Sequence, residues 1–493
     1  MPSVTATKRV GRNLTEGPIF KGLMVFALPI ILSNVIQQLY GMVDLSIAGR
    51  YVGSIGTVGV NTGGEMADFI LPVAIGFSSA GQIYVSQLVG AGRYDKVKSA
   101  IGTLFSLILL IAVILSVCVI AFCNPILQLL NCPQEALGQA RAYMIITAIG
   151  FPFVFGYNAV CGILRGMGES KRPLYFIIVA ASINIFADLL LVVVIPLEAA
   201  GTAIATVLSQ IASFTAAFSF MYRSRDRLGL KFDRTLLGMD REAAGVMVKL
   251  AVPQVTRSLM VRFGLLWVNA NINTYGTEVS ATNGVGNKIQ KFLEVFMQGV
   301  DTAAASMIGQ NLGARKYDRA KKIPLCALSL TMAFAVACSV LGLLFPKQIF
   351  GIFSDDPLVL ALGVVYLEFM VIHFFSTAFI GPFQAMVNGS GFVSLGFVVG
   401  ILDGLLCKIG LSLIFVPLFE NAAATGIVGF FISQIPVEIV GEAHSYGYLG
   451  YFLAIACSRI LPGLICFGYY VSGRWKSRKL LVKGKKSEES EAR

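Results

Sequence analysis

The sequence predicts an all-α polytopic membrane protein, with twelve transmembrane helices in two six-helix parallel-repeat lobes around a central cleft. Three observations carry this. Of 493 residues, 56% are hydrophobic and only 13% charged, with mean hydropathy +0.76; soluble domains of this size do not have that balance. Apolar runs of about 20 residues, the length that crosses a bilayer as helix, recur without the polar alternation of a barrel. The chain also repeats itself: QLVGAGRYDKVK (87–98) matches QNLGARKYDRAK (310–321) at an offset of 223.

Hydropathy places the spans near 23–48, 57–83, 98–122, 139–161, 173–195, 201–222, 246–271, 281–308, 322–345, 361–387, 392–416 and 448–472. The segment before Leu23 is polar and basic, and the first apolar run has no clear cleavage site, so it reads as a signal anchor. A shorter apolar piece around 423–440 suits a re-entrant or interfacial segment. The expected organisation is a cytoplasmic segment 1–22, a first lobe 23–222, a linker 223–245, a second lobe 246–472 with an extra stretch at about 417–447, and a basic tail 473–493.

The net charge of +12 is a topology signal and gives no reason to expect nucleic acid. Basic residues gather before helix 1 and after helices 2, 4, 6, 8 and 12, while the other loops are nearly free of them. By the positive-inside rule both termini are cytoplasmic. The tail KGKKSEESEAR has a disordered composition, and its basic part suits anionic lipid. The nine cysteines include no C-x-x-C pair and lie mostly in apolar runs; Cys123 and Cys132 flank a predicted outer loop where a disulfide is open. His373 and His444 lack metal-ligand spacing.

The most informative stretch is Leu23 to Gly53. It is apolar enough to span, yet carries Pro29, Asn34, Gln37, Gln38 and Asp44. Gln37, Gly41 and Asp44 share a helix face, and Tyr40 lies four residues before Asp44. A carboxylate at membrane depth costs several kcal/mol and marks an ion or substrate path; the alternative is an interfacial Asp44 that only ends a helix. In helix 5, Asn184 and Asp188 are one turn apart on one face. Amide and carboxylate oxygens suit a hard cation such as Na+, and the same carboxylates can carry H+. Structural hydrogen bonding between helices is the competing reading.

The repeat extends further. Gly53 maps to Gly276 and Gly166-Met167-Gly168 to Gly389-Ser390-Gly391 at 223, and LEAAGTAIATVLSQ (197–210) aligns with YGYLGYFLAIACSR (446–459) at 249. The offset thus grows by about 26 (249 less 223), and the second half carries that excess in the 417–447 region. Six helices per half make the repeats parallel, and rocking of two such lobes gives alternating access. At the offset, Asp44 reaches Trp267 and Asp188 reaches Leu411, so these acids act in one lobe only.

Taken together, ALPIILSNVIQQLYGMVDLSIAGRYVG, the QLVGAGRYDK/QNLGARKYDR pair, RGMGESKRP and SINIFADLLLV resemble the multidrug and toxic compound extrusion (MATE) transporters, in particular their bacterial DinF-like branch. The resemblance covers roughly residues 15–475. It implies a plasma-membrane, bacterial, multi-pass antiporter exporting organic cations or amphipathic compounds in exchange for H+ or Na+. It further implies a cation- or proton-coupling cluster in the first lobe, whose acid falls on Asp44 and whose Asn and Asp fall on Asn184 and Asp188, with Tyr40 and Gln37 beside them. Another branch carries an acid in helix 7; here helix 7 carries Arg257 and Arg262.

Remaining polar residues are assigned by position. In the second lobe Glu368, Asp403, Arg262 and Glu294 are candidates for contact with substrate, and Lys288, Lys291 and Glu294, spaced three apart, suit internal ion pairs. Glu65 and Asp68 read as partners of a helix N-terminus in preference to a negative vestibule. Met24, Met42, Phe151, Phe153, Phe155 and Tyr157 could line a greasy cavity. Gly90, Gly313, Gly166, Gly168, Gly389 and Gly391 suit tight left-handed turns. No cofactor is expected: there is no G-x-x-x-x-G-K-[ST] loop, so ATP does not drive the protein directly. The expected partners are small molecules and the lipid bilayer, with the protein a monomer. The alternative function is a flippase for a lipid-linked saccharide, which a broad basic cavity would favour. A membrane enzyme is disfavoured, since the sequence lacks H-E-x-x-H and G-x-S-x-G.

Overall fold

The computed structural model describes residues 11–225, 238–420, 433–434, 446–477 and 481. Within them the chain is helical. The spanning helices, in order, are α1 (Ile19–Tyr51), α2 (Gly53–Gly90), α3 (Tyr94–Ala121), α4 (Leu137–Gly166), α5 (Lys171–Asp188), α6 (Glu198–Arg223), α7 (Arg241–Ile272), α8 (Thr277–Gly313), α9 (Tyr317–Leu344), α10 (Pro357–Ser390), α11 (Val393–Glu420) and α12 (Gly447–Ser472). Ten are long and apolar enough to cross a membrane by composition alone. The other two, α7 and α8, have 32 and 37 residues; length is no obstacle, and polar residues lower their hydropathy, half-buried in α7 (Arg257, Arg262, Asn269) and buried in α8 (Asn283, Gln290, Gln310). Most of the linker 223–245, of the extra stretch 417–447 and of the basic tail lies outside the described residues.

Among the described residues two units separate. The first comprises the chain up to Val255 with Ala305–Ala320 and Leu481, and the second comprises Thr256–Ala304 and the chain from Lys321 through α12. Thus α7 divides just after its internal Pro253, and the end of α8 belongs with the first unit. In the first unit α2 lies along α4 because small residues let the backbones approach: Gly63 faces the Ala140 carbonyl, and Gly162 faces Ser78. In the second, Tyr366, Phe452, Tyr448 and Phe350 are fully buried in one aromatic-rich core. Outward faces are apolar, as on α3, where Leu110, Ile114 and Val117 are each about half exposed or more; a lipid-facing surface has this composition.

Only Val52 separates α1 from α2. Gly53 follows it with φ +77°, and its repeat counterpart Gly276, between α7 and α8, has φ +109°. A side chain strains the backbone there, so Gly53→Ala and Gly276→Ala should each cost about 1 kcal/mol. The check is the thermal unfolding midpoint in detergent; an unchanged midpoint contradicts this account of the turn. Gly168 and Gly391 are left-handed as expected, at +86° and +72°. Gly90 and Gly313 are not. Each sits where α2 and α8 cross: a methyl on Gly90 would collide with the Gln310 carbonyl, and one on Gly313 with the Gln87 carbonyl. Close approach of two backbones, and not turn geometry, explains that pair of glycines.

Asp240 starts α7. Its Oδ1 accepts from the backbone amides of Glu242 (2.8 Å) and Ala243 (3.2 Å), as an N-cap should. The Ala243 amide and the Ser99 hydroxyl hold its carboxyl below the usual carboxylate range. The cysteines, Cys123 and Cys132 included, are free.

Candidate functional site

Four helices of the first unit enclose a cavity of about 550 Å3. From α1 come Gln37, Tyr40 and Asp44, which helical spacing puts on one stripe. From α2 come Asn61, Glu65 and Asp68, from α4 Tyr143, Thr147, Phe151, Phe155, Tyr157 and Asn158, and from α6 Thr206 and Gln210. The described lining therefore has three carboxylates, several aromatic rings and no Lys, Arg or His. Glu65 and Asp68 do not lie in the first turn of a helix. α2 starts at Gly53, well before them, so the helix-terminus reading is replaced by a place on the cavity wall. Met24 and Met42 are about 40% exposed and lie outside the lining, and Phe153 stacks edge-on against Phe214.

Behind Asp44 lies the buried pair from α5, Asn184 (1% exposed) and Asp188 (0%). The Asp44 and Asp188 carboxyls are in direct contact. Yet Asp44 Oδ1, both Asp188 oxygens and both polar atoms of the Asn184 side chain find no hydrogen-bond partner among the described residues. Buried polar atoms are rarely left so. Two ionised carboxylates in contact repel, most strongly where the dielectric is low. A proton held between them, or a small cation held against them, removes the repulsion. The helix is also interrupted here: Leu189–Val194, immediately after Asp188, form a π-turn, a distortion frequent at functional positions. Sequence spacing joined Asn184 to Asp188, and the structure brings Asp44 to them and places Gln37 and Tyr40 on the same cavity.

The second unit has its own buried polar cluster. Glu294 of α8 is paired with Arg459 of α12 at 2.8 Å and lies 3.6 Å from His373 of α10. Asp403 of α11 is paired with Arg257 of α7 at 3.1 Å and lies 3.5 Å from Arg459. Lys408, 2% exposed, reaches the Asp403 carbonyl at 3.4 Å. Glu294 is thus held by Arg459 and not by Lys291, a change from the local pairing that spacing suggested. Glu368 accepts from Gln434 at 3.3 Å, and Arg262 is half-buried on α7. The sequence reading missed Arg459, Asn61, Tyr143 and Gln210. A signal for two of them was present: the repeat alignment that pairs 197–210 with 446–459 puts Gln210 opposite Arg459, and each faces its own half's polar cluster.

A family model described as MatE matches the chain twice, over residues 29–190 and 253–414. The chain belongs to the MatE family. One match lies in each half of the chain, so the family unit is the half, and the MATE architecture of twelve helices is two such halves. Curated relatives include the "Probable multidrug resistance protein YpnP" of Bacillus subtilis, 25% identical, with 95% of this chain and 99% of that protein covered. YoeA of the same organism is 28% identical over 70% of this chain and 76% of its own length. Among solved structures, an outward-facing multidrug resistance MATE transporter of the MOP superfamily superposes with TM-score 0.83 at 18% identity, covering 96% of this chain and 99% of that one. A MOP superfamily transporter from Pyrococcus furiosus gives 0.83 at 18%, covering 96% and 100%. At that identity the likeness carries the fold. These curated relatives of the MATE chain are bacterial proteins named for multidrug resistance or export.

Proposed function

We propose that this protein is a secondary antiporter of the bacterial cytoplasmic membrane, exporting organic cations or amphipathic compounds in exchange for H+ or Na+. The observation that carries the reading is the contact between Asp44, on the wall of an acidic and aromatic cavity, and the buried Asp188 with Asn184 beside it. The names of the curated relatives, multidrug resistance and multidrug export proteins, support the same class of substrate.

In this reading Asp44, Asn184 and Asp188 hold the coupling ion. Asp44 belongs to both the buried pair and the cavity wall, so a proton or Na+ arriving at the pair changes the charge that a bound substrate meets. Differential affinity of this kind is what couples two ligands, with typical strength of about 1–3 kcal/mol. Glu65 and Asp68 lie about three and four helical turns into α2 and add two carboxyl groups to the same cavity wall. Tyr143, Phe151, Phe155 and Tyr157 offer ring faces to a cation. The flippase alternative calls for basic side chains to meet a lipid-linked phosphate, and the described lining offers carboxylates instead.

The experiment is efflux of a fluorescent organic cation from cells lacking their own pumps. Glu65→Gln/Asp68→Asn should weaken affinity for a cationic substrate about tenfold, as loss of close charge pairs does, and should leave a neutral amphipathic substrate nearly unaffected. Equal loss for both substrates would remove these residues from substrate recognition. The orientation follows the positive-inside rule: a cysteine at Arg223, the last residue of α6, should resist impermeant thiol reagents added outside, and labelling there would overturn cytoplasmic termini.

A further inference from the structure

The repeated glutamine–glycine motif does more than let α2 and α8 cross. In the second copy, QNLGARKYDR, four polar side chains grip the stretch of chain just before α1. Gln310 Oε1 accepts from the Leu14 amide at 3.1 Å, and Asn311 Nδ2 donates to the Leu14 carbonyl at 3.1 Å. Lys316 Nζ donates to the Thr15 carbonyl at 3.0 Å. Arg319 donates from Nη2 to the Glu16 carbonyl at 3.3 Å and from Nη1 to the Gly17 carbonyl at 2.8 Å. On its other side the stretch is fixed to the turn after α4, where the Arg12 amide donates to the Gly168 carbonyl at 3.0 Å. Leu14 is 2% exposed and Thr15 8%. A lead-in segment to a first helix is ordinarily loose unless tied down; this one is tied by its backbone at every position from Leu14 to Gly17.

In the first half, Lys96 of the first copy and two residues just after it hold the start of α7. Lys96 stands at Arg319 less 223 and pairs with Glu242, in the first turn of α7, at 3.5 Å. Ser99 Oγ donates to Asp240 Oδ2 at 3.0 Å, and the Asp240 amide donates to Thr103 Oγ1 at 3.0 Å. Each half therefore holds the lead-in of the other half's first helix. The two sets join different helix ends, the lead-in of α1 to α8 and α9 and the start of α7 to α3.

We infer that residues 12–17 form a releasable strap that fastens the end of α8 to the turn after α4, and through α4 to α2, whose Gln82 carbonyl packs against Gly166, and that the strap must let go before the ends of α8 and α2 can part. The inference rests on the antiport reading above in one respect: alternating access requires cytoplasmic helix ends of the two halves to separate at some stage. Backbone-directed bonds suit such a strap, because they can be remade at each cycle without demanding any one side chain from residues 12–17. The receptor side carries the specificity, in Gln310, Asn311, Lys316 and Arg319.

Two readouts test it. Ser86 of α2 is fully buried against Gly309 of α8, so the rate at which a permeant maleimide reaches Ser86→Cys reports separation of those helices and needs no transport. In a background with the other accessible cysteines replaced, adding Lys316→Ala/Arg319→Ala should speed that labelling several-fold; an unchanged rate overturns the strap. Thr15→Cys/Lys316→Cys, bridged by a short reversible bis-thiol reagent, should lose cation efflux and regain it on reduction, while each single-cysteine variant transports normally. Undiminished efflux by the bridged protein also overturns it. A protein that moves no cation even before bridging would count against the antiport reading, and the labelling rates would still decide the strap.

Discussion

Asp188→Asn is expected to lower gradient-driven cation efflux about 100-fold, the upper range of coupling between two sites, with normal insertion in the membrane. The reason is geometric. Asp188 is wholly buried, touches Asp44 and finds no donor among the described residues. Asparagine has nearly the same shape and can still hydrogen-bond, so packing survives, but it neither carries a proton at physiological pH nor offers a charge to Na+. Asp44→Asn should act similarly, and the double variant should be no worse than either single, since the two carboxyls form one unit. Efflux measured side by side in the three variants checks this; full additivity of the losses would mean that the carboxyls work separately.

Arg459→Ala is expected to have the largest effect on stability, about 3 kcal/mol or more, because breaking a buried ion pair leaves its partner uncompensated. Arg459 is 12% exposed and serves Glu294 and Asp403 at once, and its Nη1 also donates to Thr377 Oγ1 at 2.9 Å. One truncation strands Glu294 and leaves Asp403 with Arg257 alone. The expected observation is a strongly lowered yield of folded protein and a lowered unfolding midpoint in detergent. Arg459→Ala combined with Glu294→Gln should recover part of the loss, since the stranded charge is then gone while Asp403 keeps Arg257. Absence of any recovery would assign the loss to packing.

The fold was legible because hydrophobic length and basic-residue placement are local properties, and because the duplication gave every helix of the second half a template. α7 and α8, the least apolar helices, were placed by hydropathy, and the duplication gives each a counterpart in the first half. The proposed coupling residues were legible in part: Asn184 and Asp188 share a helix face by spacing, whereas contact between Asp44 and Asp188 depends on how α1 and α5 pack, which no periodicity encodes. The same limit explains the pairing of Glu294. Spacing sees Lys291 on the same helix, but Arg459 arrives from α12, at the far end of the second half. Glu65 and Asp68 were misplaced because they were read as early in helix 2, although even a start at 57 leaves them more than two turns in, and the helix begins at Gly53 after a one-residue turn. Gly90 and Gly313 read as turn glycines for a related reason: the crossing they permit joins α2 to α8, which stand in different halves of the sequence.

The central claim is that Asp44, Asn184 and Asp188 exchange a coupling ion against an organic cation in the adjoining cavity. Purified protein in proteoliposomes, loaded with a fluorescent organic cation and given a proton gradient or a sodium gradient separately, tests it most directly. The account predicts that one gradient alone drives cation movement and that Asp188→Asn abolishes the driven flux while leaving the protein folded. Flux that follows neither gradient, or that persists undiminished in Asp188→Asn, would contradict it.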